Sequence, residues 1–380
     1  MTSELPTPFE VLQEYFGETD FEKIHNIWMA REREGHLIYD GVSDRTCDTS
    51  LFPYEAEGPL ETPIPTPAEI HAAIRQPIHC LVHRGRVGPY MVKVSESVEV
   101  YQEAENLLYL ERVNSNVRIP KVYAAFSSRG PPLNVSDEAE EDEAEEDEVL
   151  YYYLVMEHID GVRISALDEL EIDYLIVEKI GDLYGEQLRR LRSIPAEDPE
   201  LFGRVNGKAY NFYNDAIRHP AAPDYFSNLG PFNYETLVGR MIQTMTVDES
   251  FSTHPSSTRN DFKPKARGLL RDARSTLIDN VRPSDRLPVL THVDRGGVVV
   301  KLVRDEQGKA IDVEELVLVD WSEMSWMPAW YEPGLSCYYQ QLNWRIGAEI
   351  GCRTFDKMMP VCMSPTVYWA VCLTDLAICF

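Results

Sequence analysis

Basic residues are scarce in this sequence, and so are the cysteine patterns and apolar runs that mark several classes of protein. The 380 residues include 36 Lys and Arg against 63 Asp and Glu, which gives a formal net charge of −27. A surface of this sign does not attract nucleic acid or the anionic face of a membrane. We therefore expect neither nucleic acid nor a membrane among the partners of the chain.

The seven cysteines form no CxxC pair and are odd in number, so the sequence predicts neither a zinc site nor a complete disulfide framework. No basic stretch followed by an apolar one opens the chain, and no apolar run reaches the roughly 18 residues of a membrane span. We interpret the most apolar stretch, residues 367–380, as a core helix rather than a membrane anchor, because it is short and includes Asp375. The expected compartment is the cytosol.

Ten acidic residues fall in one run, DEAEEDEAEEDE (residues 137–148), and the rest of the chain still carries a charge of −17. Like charges at this density repel one another and bury too little apolar area to become ordered. We interpret the run as a disordered loop between two strands. The alternative is a segment that docks a basic partner.

The periodicity of the apolar residues changes near residue 157. Residues 1–65 are interpreted as an N-terminal helical extension, after which TPAE (residues 66–69) has the composition of a capping box. Residues 66–156 are β-rich: IHCLVHR and YMVKVSE, with a turn at GRVGP, precede an amphipathic helix and the strands KVYAAFS and VLYYYLVME. Residues 157–380 are mainly helical, apart from a β island of PVLTH, VVVKLVR and EELVLVD. We expect an α+β protein with a small β-rich N-lobe and a larger helical C-lobe.

Four ionisable residues occupy positions that a phosphotransferase site would use. Lys93 lies within a strand, as a phosphate-binding lysine does, and Glu103 lies on the next helix, from which it could hold the ammonium group. Asp294 follows the strand PVL and Asp320 ends the strand ELVLV, so the hairpin between them brings both carboxylates to one end of the small sheet. Each residue also has a structural explanation: a lysine on the solvent face of a strand, a solvated helical carboxylate, or an aspartate in a turn.

Six segments carry a resemblance to a known family. Between about residue 78 and residue 335 the chain contains, in order, YMVKV, EAENLLYLERVNSNVRIPKVYAAF, YYLVMEHIDGVRI, GEQLRRLRSIP, LTHVD and LVLVDWSEMSWMPAWYE. On these segments it resembles the aminoglycoside phosphotransferase and choline-kinase-like superfamily, particularly its divergent fungal branch. The resemblance implies a protein-kinase-like fold and ATP- and Mg²⁺-dependent phosphorylation of a small-molecule hydroxyl, with a role in fungal secondary metabolism.

Carried over by position, the resemblance assigns a nucleotide-binding role to residues of the first lobe. Lys93 would contact the α- and β-phosphates of ATP, and Glu103 would pair with Lys93. The adenine hinge would include Met156, Glu157 and Ile159.

The resemblance also implies roles for residues of the catalytic loop. Asp294 would be the catalytic base, with His292 and Arg295 as further catalytic residues, and Asp320 would bind Mg²⁺. Trp321 would pack behind Asp320. The acceptor and the oligomeric state are not predicted by any motif.

The catalytic loop departs from the family pattern. The family has HGDLHPGN where this chain has HVDRGGVV, so Val293 replaces a glycine, Arg295 a leucine and Val299 the metal-binding asparagine. Valine cannot coordinate a metal, and a guanidinium beside Asp294 could clamp a phosphate or neutralise the base. Two alternatives therefore stay open: a repurposed kinase fold that performs acid or base chemistry on a small molecule in the interlobe pocket, and a noncatalytic regulatory or scaffold protein.

Overall fold

The computed structural model describes residues 5–39, 43, 45–74, 82–113, 115–131, 133, 148–211, 214, 217, 228–253, 260–294, 296–339, 345–360 and 362–376. Four features interpreted above lie partly or wholly outside these residues: positions 78–81 of the first predicted strand, positions 137–147 of the acidic run, Arg295, and positions 377–380 of the apolar C-terminal stretch. The interpretations of the acidic run and of Arg295 therefore stay predictions.

The helices and strands occur along the chain much as the periodicity of the apolar residues predicts. The helices are α1 (Pro8–Phe16), α2 (Phe21–Tyr39), α3 (Pro67–Ala73), α4 (Glu99–Arg112), α5 (Tyr174–Arg192), α6 (Tyr234–Thr253), α7 (Pro264–Arg274), α8 (Tyr331–Tyr339), α9 (Arg345–Met358) and α10 (Met363–Asp375). The strands are β1 (Tyr54–Glu55), β2 (His83–Val87), β3 (Tyr90–Ser95), β4 (Val122–Gly130), β5 (Val149–Glu157), β6 (Val162–Arg163), β7 (Pro288–Thr291), β8 (Val298–Arg304), β9 (Ala310–Leu318) and β10 (Ser325–Pro328).

The N-lobe is built on an antiparallel sheet with the strand order β1-β4-β5-β3-β2. Successive side chains of a strand point to opposite faces, and on β3 this alternation separates apolar from charged residues. Val92 and Val94 join an apolar cluster on one face, which Ile70 of α3 covers. Lys93 points to the other face, where it meets α4 and the C-lobe. The alternation therefore directs the lysine into the space between the lobes.

The turn between β2 and β3 differs from the prediction. It consists of Gly88 and Pro89, because β2 continues through Val87, which pairs with Tyr90. Gly88 has a φ of +57°, a left-handed conformation that glycine adopts at little cost. The turn expected over all of GRVGP is therefore wrong, and the shorter turn sets Arg84 directly opposite Lys93.

The β island of the C-lobe is two sheets rather than one. β8 and β9 form the predicted hairpin around the DEQGK turn, and β6 adds to the outer edge of β8. β7 pairs instead with β10, so that Thr291 lies opposite Ser325. The start of β8 and the end of β9 meet where Val298 pairs with Leu318. The loops that carry Asp294 and Asp320 consequently meet at one end of the hairpin, as predicted.

Helices form the remainder of the C-lobe. α5 packs on α9, α8 packs on α10, and α1 of the N-terminal segment packs on α6. Trp369 of α10 is almost fully buried beside Trp330, so the apolar C-terminal segment forms a core helix where it is described. None of the described helices is long and apolar enough to cross a membrane. The α+β organisation expected from the sequence, with a β-rich N-lobe and a larger helical C-lobe, is confirmed.

Candidate active site

Lys93 lies at the centre of a buried ion-pair cluster between the lobes. Its Nζ donates to both carboxylate oxygens of Glu103 at 2.7 Å and to Asp320 Oδ1 at 2.6 Å. The lysine side chain is only 3% exposed, and burial of a charge is tolerated when opposite charges and hydrogen bonds surround it. The Lys93–Glu103 contact expected from the sequence is present, and Asp320 is its third member.

Two arginines engage the other oxygen of Asp320. Oδ2 accepts hydrogen bonds from Arg163 Nη1 at 2.9 Å and from Arg84 Nη1 at 3.3 Å. Burial by itself would raise the pKa of Asp320, but Lys93, Arg84 and Arg163 together hold it well below its usual value. Asp320 also has a φ of +61°, a conformation that aspartate tolerates better than most residues. The predicted metal ligand is thus surrounded by three cations.

Helix α4 is held against the segment that follows β9. Asn106 Nδ2 donates to the carbonyl oxygen of Trp321 at 2.6 Å, and the Trp321 amide donates to Glu103 Oε1 at 3.3 Å. The indole of Trp321 is fully buried and donates to the Leu318 carbonyl. These contacts fix the position of Glu103 relative to Asp320.

Asp294 is held in its loop by two backbone amides. Its Oδ1 accepts from Gly296 N at 2.7 Å and from Gly297 N at 3.2 Å. A Cβ atom at position 297 would lie 2.2 Å from the carbonyl oxygen of Val319, so the close approach of the two loops requires glycine there. The carboxylate is half-buried, which leaves it accessible from the cleft while its orientation is fixed.

His292 lies behind the loop rather than on its surface. Its Nε2 is 2.9 Å from the Val319 carbonyl oxygen, its backbone amide donates to Glu332, and its ring packs edge-on against Trp321 at 4.4 Å. The side chain has no exposed surface. This position favours a role in holding the loop over the direct catalytic role predicted from the sequence.

The predicted hinge residues face different partners. Met156, Glu157 and Ile159 all line the pocket between the lobes. The Glu157 carboxylate also pairs with the Arg118 guanidinium at 2.7 and 2.9 Å, and Arg118 Nε donates to Glu315 at 2.6 Å. Burial opposes ionisation of Glu157, but the Arg118 hydrogen bonds keep the pKa of its carboxyl below the usual value. Glu157 thus contributes its side chain to a link between the lobes.

Three neighbouring cavities surround these residues. The first, which we name the interlobe pocket, has a volume of about 200 Å³; it has an apolar side and a charged end. Its apolar side includes Met91, Met156, Ile159, Val299 and Val319, and its charged end consists of Arg84, Lys93, Arg163 and Asp320.

The second cavity, named here the C-lobe cavity, has a volume of about 410 Å³ and is mostly apolar. Its lining includes Ile164, Asp168, Tyr184, Asp294, Ile346, Ile350 and Thr354. The third, the ionic cavity, has about 140 Å³ and is lined by Arg84, Lys93, Glu99, Glu103, Asp294, Asp320, Ser322 and Glu323. Asp294 is shared by the C-lobe cavity and the ionic cavity.

The residues around Asp320 are a poor fit for Mg²⁺. Both oxygens of this carboxylate already accept hydrogen bonds from cations, and Val299 has no oxygen to offer where the resembling family has asparagine. Mg²⁺ requires oxygen ligands in a near-octahedral arrangement. Across the part of the chain that the structure describes, no three His, Cys, Asp or Glu side chains are grouped so that they could hold a metal ion.

Two members of the charged end, Arg84 and Arg163, are not among the site residues predicted from the sequence. Arg84 would have been recognised with the turn at Gly88, because it then lies opposite Lys93 on β2. Arg163 reaches Asp320 because β6 pairs with β8, where Arg163 lies opposite Val299. That pairing joins residues distant in sequence and leaves no local signal.

Comparison with protein families and with curated proteins gives no match. Among solved structures, a thermostable mutant of aminoglycoside phosphotransferase APH(4)-Ia is similar with 14% identity and a TM-score of 0.40, over 77% of this chain and 80% of that one. Spectinomycin phosphotransferase APH(9)-Ia, in complex with ADP and spectinomycin, has 12% identity and a TM-score of 0.38, over 78% and 77% of the two chains. Both likenesses concern the fold alone.

Proposed function

We propose that this chain transfers a phosphoryl group from a nucleoside triphosphate to the hydroxyl group of a small molecule. The observation that carries the proposal is the position of Asp294, which lines both the C-lobe cavity and the ionic cavity. An acceptor in the C-lobe cavity would place its hydroxyl beside this carboxylate. The same carboxylate lies next to the charged groups that would hold the phosphates.

The interlobe pocket supplies the chemistry that a nucleotide needs. Its apolar side suits the faces of a purine ring, and its charged end suits phosphate oxygens. Lys93 would contact the phosphates, as expected from the sequence, and Glu103 would keep its ammonium group in place. Met156 and Ile159 would contact the base, whereas Glu157 would act through its backbone, since its side chain is paired with Arg118.

The transfer step requires a base at the acceptor oxygen. That oxygen attacks the terminal phosphorus, the bond from this phosphorus to the departing nucleoside diphosphate breaks, and Asp294 takes the hydroxyl proton. The two amides on Oδ1 hold the carboxylate in one orientation. His292 would position this loop through Val319 without touching the substrate. The step includes no metal ion, because the residues around Asp320 fit one poorly.

A second candidate is acid or base chemistry by Asp294 without phosphoryl transfer. It is favoured by the same observation that argues against Mg²⁺, the engagement of both Asp320 oxygens by cations. Such an enzyme would use the C-lobe cavity and would require no nucleotide. For either candidate, a role in fungal secondary metabolism and a cytosolic location are proposals that rest on the sequence.

The substitution Asp294→Asn tests the proposal, because an amide keeps the acceptor for Gly296 and Gly297 but cannot take a proton. Wild-type protein is assayed for release of nucleoside diphosphate from ATP with a panel of largely apolar alcohols that fit the C-lobe cavity. We expect the variant to lose about 10²- to 10⁴-fold in turnover while it keeps its nucleotide affinity and melting temperature.

Asp305→Asn is the matched control, since Asp305 Oδ1 also accepts two backbone amides in a turn, from Gln307 and Lys309, far along the hairpin. It should leave turnover unchanged. Full turnover in Asp294→Asn would overturn the role of this residue. A reaction of the acceptor that proceeds without nucleotide would support the second candidate instead.

A further inference from the structure

Three cations from three different strands converge on one carboxylate in the interlobe pocket. Arg84 comes from β2, Lys93 from β3 and Arg163 from β6, and each donates to Asp320 at 3.3, 2.6 and 2.9 Å respectively. Glu103 adds a second carboxylate, which pairs with Lys93. Among these five residues, three positive charges face two negative ones, and Glu99, Asp294 and Glu323 line the adjoining ionic cavity.

The side chains of the two arginines are much more exposed to solvent than that of the lysine. Lys93 is 3% exposed, whereas the side chains of Arg84 and Arg163 are 44% and 43% exposed at the mouth of the pocket. A guanidinium carries several N–H donors in one plane, and each of these two gives one described hydrogen bond to Asp320. A solvent-exposed guanidinium has further donors to offer an anion that enters the pocket, and the fork geometry of arginine matches the oxygens of a phosphate.

The charge on these guanidiniums equals that of the ion they would replace. In phosphoryl transfer a divalent cation neutralises the phosphate oxygens, and two guanidiniums bring the same two positive charges. They lie against Asp320, the residue expected to hold the metal, and Arg163 lies opposite Val299, the residue that replaces the other metal ligand. Val299, which offers no oxygen ligand, and the two guanidiniums thus lie at one place.

We infer that the interlobe pocket binds the phosphate groups of a nucleotide without a divalent metal ion, through Arg84 and Arg163. The inference rests on the proposed function, because it takes the ligand of the pocket to be a nucleotide. It adds two phosphate-binding residues to that function and a binding mode in which the metal is dispensable.

Calorimetric titration of the full chain with ADP tests this inference, once in buffer with EDTA and once with Mg²⁺. We expect dissociation constants that agree within about threefold in the two buffers, because the guanidiniums supply the counter-charge. Arg84→Gln and Arg163→Gln should each weaken ADP binding in EDTA by about tenfold. Binding that requires Mg²⁺ would overturn the inference and the metal-free form of the transfer step, but would leave phosphoryl transfer with Asp294 as base standing. Absence of ADP binding in both buffers would overturn both proposals.

Two further variants separate a local effect from a general one. Arg304→Gln removes a guanidinium from β8 that donates to Gly308 at the hairpin turn, so it should leave ADP affinity unchanged. Arg84→Lys keeps the charge without the planar fork and should give an affinity between those of the wild type and Arg84→Gln; it also serves if the glutamine variant does not fold. Equal affinities in the wild type, Arg84→Lys and Arg163→Gln would overturn the inference.

Discussion

Arg204 and Glu105 form an ion pair from which solvent is excluded: Arg204 Nη2 lies 2.8 Å from Glu105 Oε2, and neither side chain is exposed. The guanidinium also donates to the Thr46 carbonyl oxygen, and Glu105 accepts from the Asp48 amide. α4 is thereby joined on one side to the N-terminal segment and to the segment that follows α5. Its other side presents Glu103 to the candidate site, so this pair supports the position of that residue.

The substitution Arg204→Met should lower the free energy of unfolding by about 3 to 5 kcal/mol, because it leaves a buried carboxylate without its counter-charge. Urea denaturation followed by circular dichroism measures the loss. Arg190→Met is the matched control, since Arg190 pairs with Glu186 on the solvent-exposed side of α5 and should cost less than about 1 kcal/mol. Similar losses in the two variants would contradict the importance of the buried pair.

Val293 has a φ of +72°, a conformation in which a side chain with a branched Cβ is strained. We therefore expect Val293→Gly to be more stable than Val293→Ala by about 1 kcal/mol. Alanine and glycine both lose the packing of valine against the core, so their difference reports the backbone alone. At a position with negative φ the order of stability is usually the reverse, and the alanine variant is more stable than the glycine variant. Thermal denaturation of both variants decides between the two orders.

The Glu157–Arg118 pair predicts a pH-dependent contribution to stability. The folded-state pKa of Glu157 lies below its usual value of 4.5, so between these two pKa values the unfolded chain binds more protons. The contribution is therefore complete above about pH 4.5 and is lost as the pH falls through the folded-state pKa. Glu157→Gln should lower the free energy of unfolding by about 1 kcal/mol at pH 7. At pH values below the folded-state pKa of Glu157, the substitution should have no effect on stability.

Chemical denaturation of both proteins across this pH series measures the difference. In an Arg118→Met background, the change at Glu157 should have little effect at any pH, because its partner is gone. A constant cost of Glu157→Gln at all pH values would contradict the assignment to the ion pair.

Val299→Asn restores the residue that the family pattern has at this position. Val299 is 8% exposed and packs with Val317, Val319 and Ile159, so the amide should cost about 1 to 3 kcal/mol of stability. Because Arg84 and Arg163 already engage Asp320, we expect the variant to gain no dependence on Mg²⁺ in ADP binding. Val303→Asn, at an exposed position of the same strand, is the control for stability. A Mg²⁺-dependent gain in affinity would favour metal chemistry at this site.

Local patterns determined most of the elements and part of the candidate site. The apolar spacing between YMVKVSE and KVYAAFS predicted the amphipathic helix that is found at Glu99–Arg112. The capping box at Thr66 and Glu69 is present at the start of α3. A helix between two strands of the N-lobe also placed Glu103 near Lys93. These features follow from the sequence because hydrogen bonding and side-chain periodicity within an element depend on its own residues.

Tertiary pairing alone decided which residues complete the charged end of the pocket. Glycine occurs at positions 85 and 88, so the sequence allowed two places for the β2–β3 turn, and only the register of the sheet sets Arg84 opposite Lys93. The β island forms two sheets because β7 pairs with β10, which lies more than thirty residues later in the chain. Arg163 reaches Asp320 through a two-residue strand on the edge of β8. Such contacts depend on which distant segments bury one another, and a one-residue change in register would turn these side chains to the opposite face.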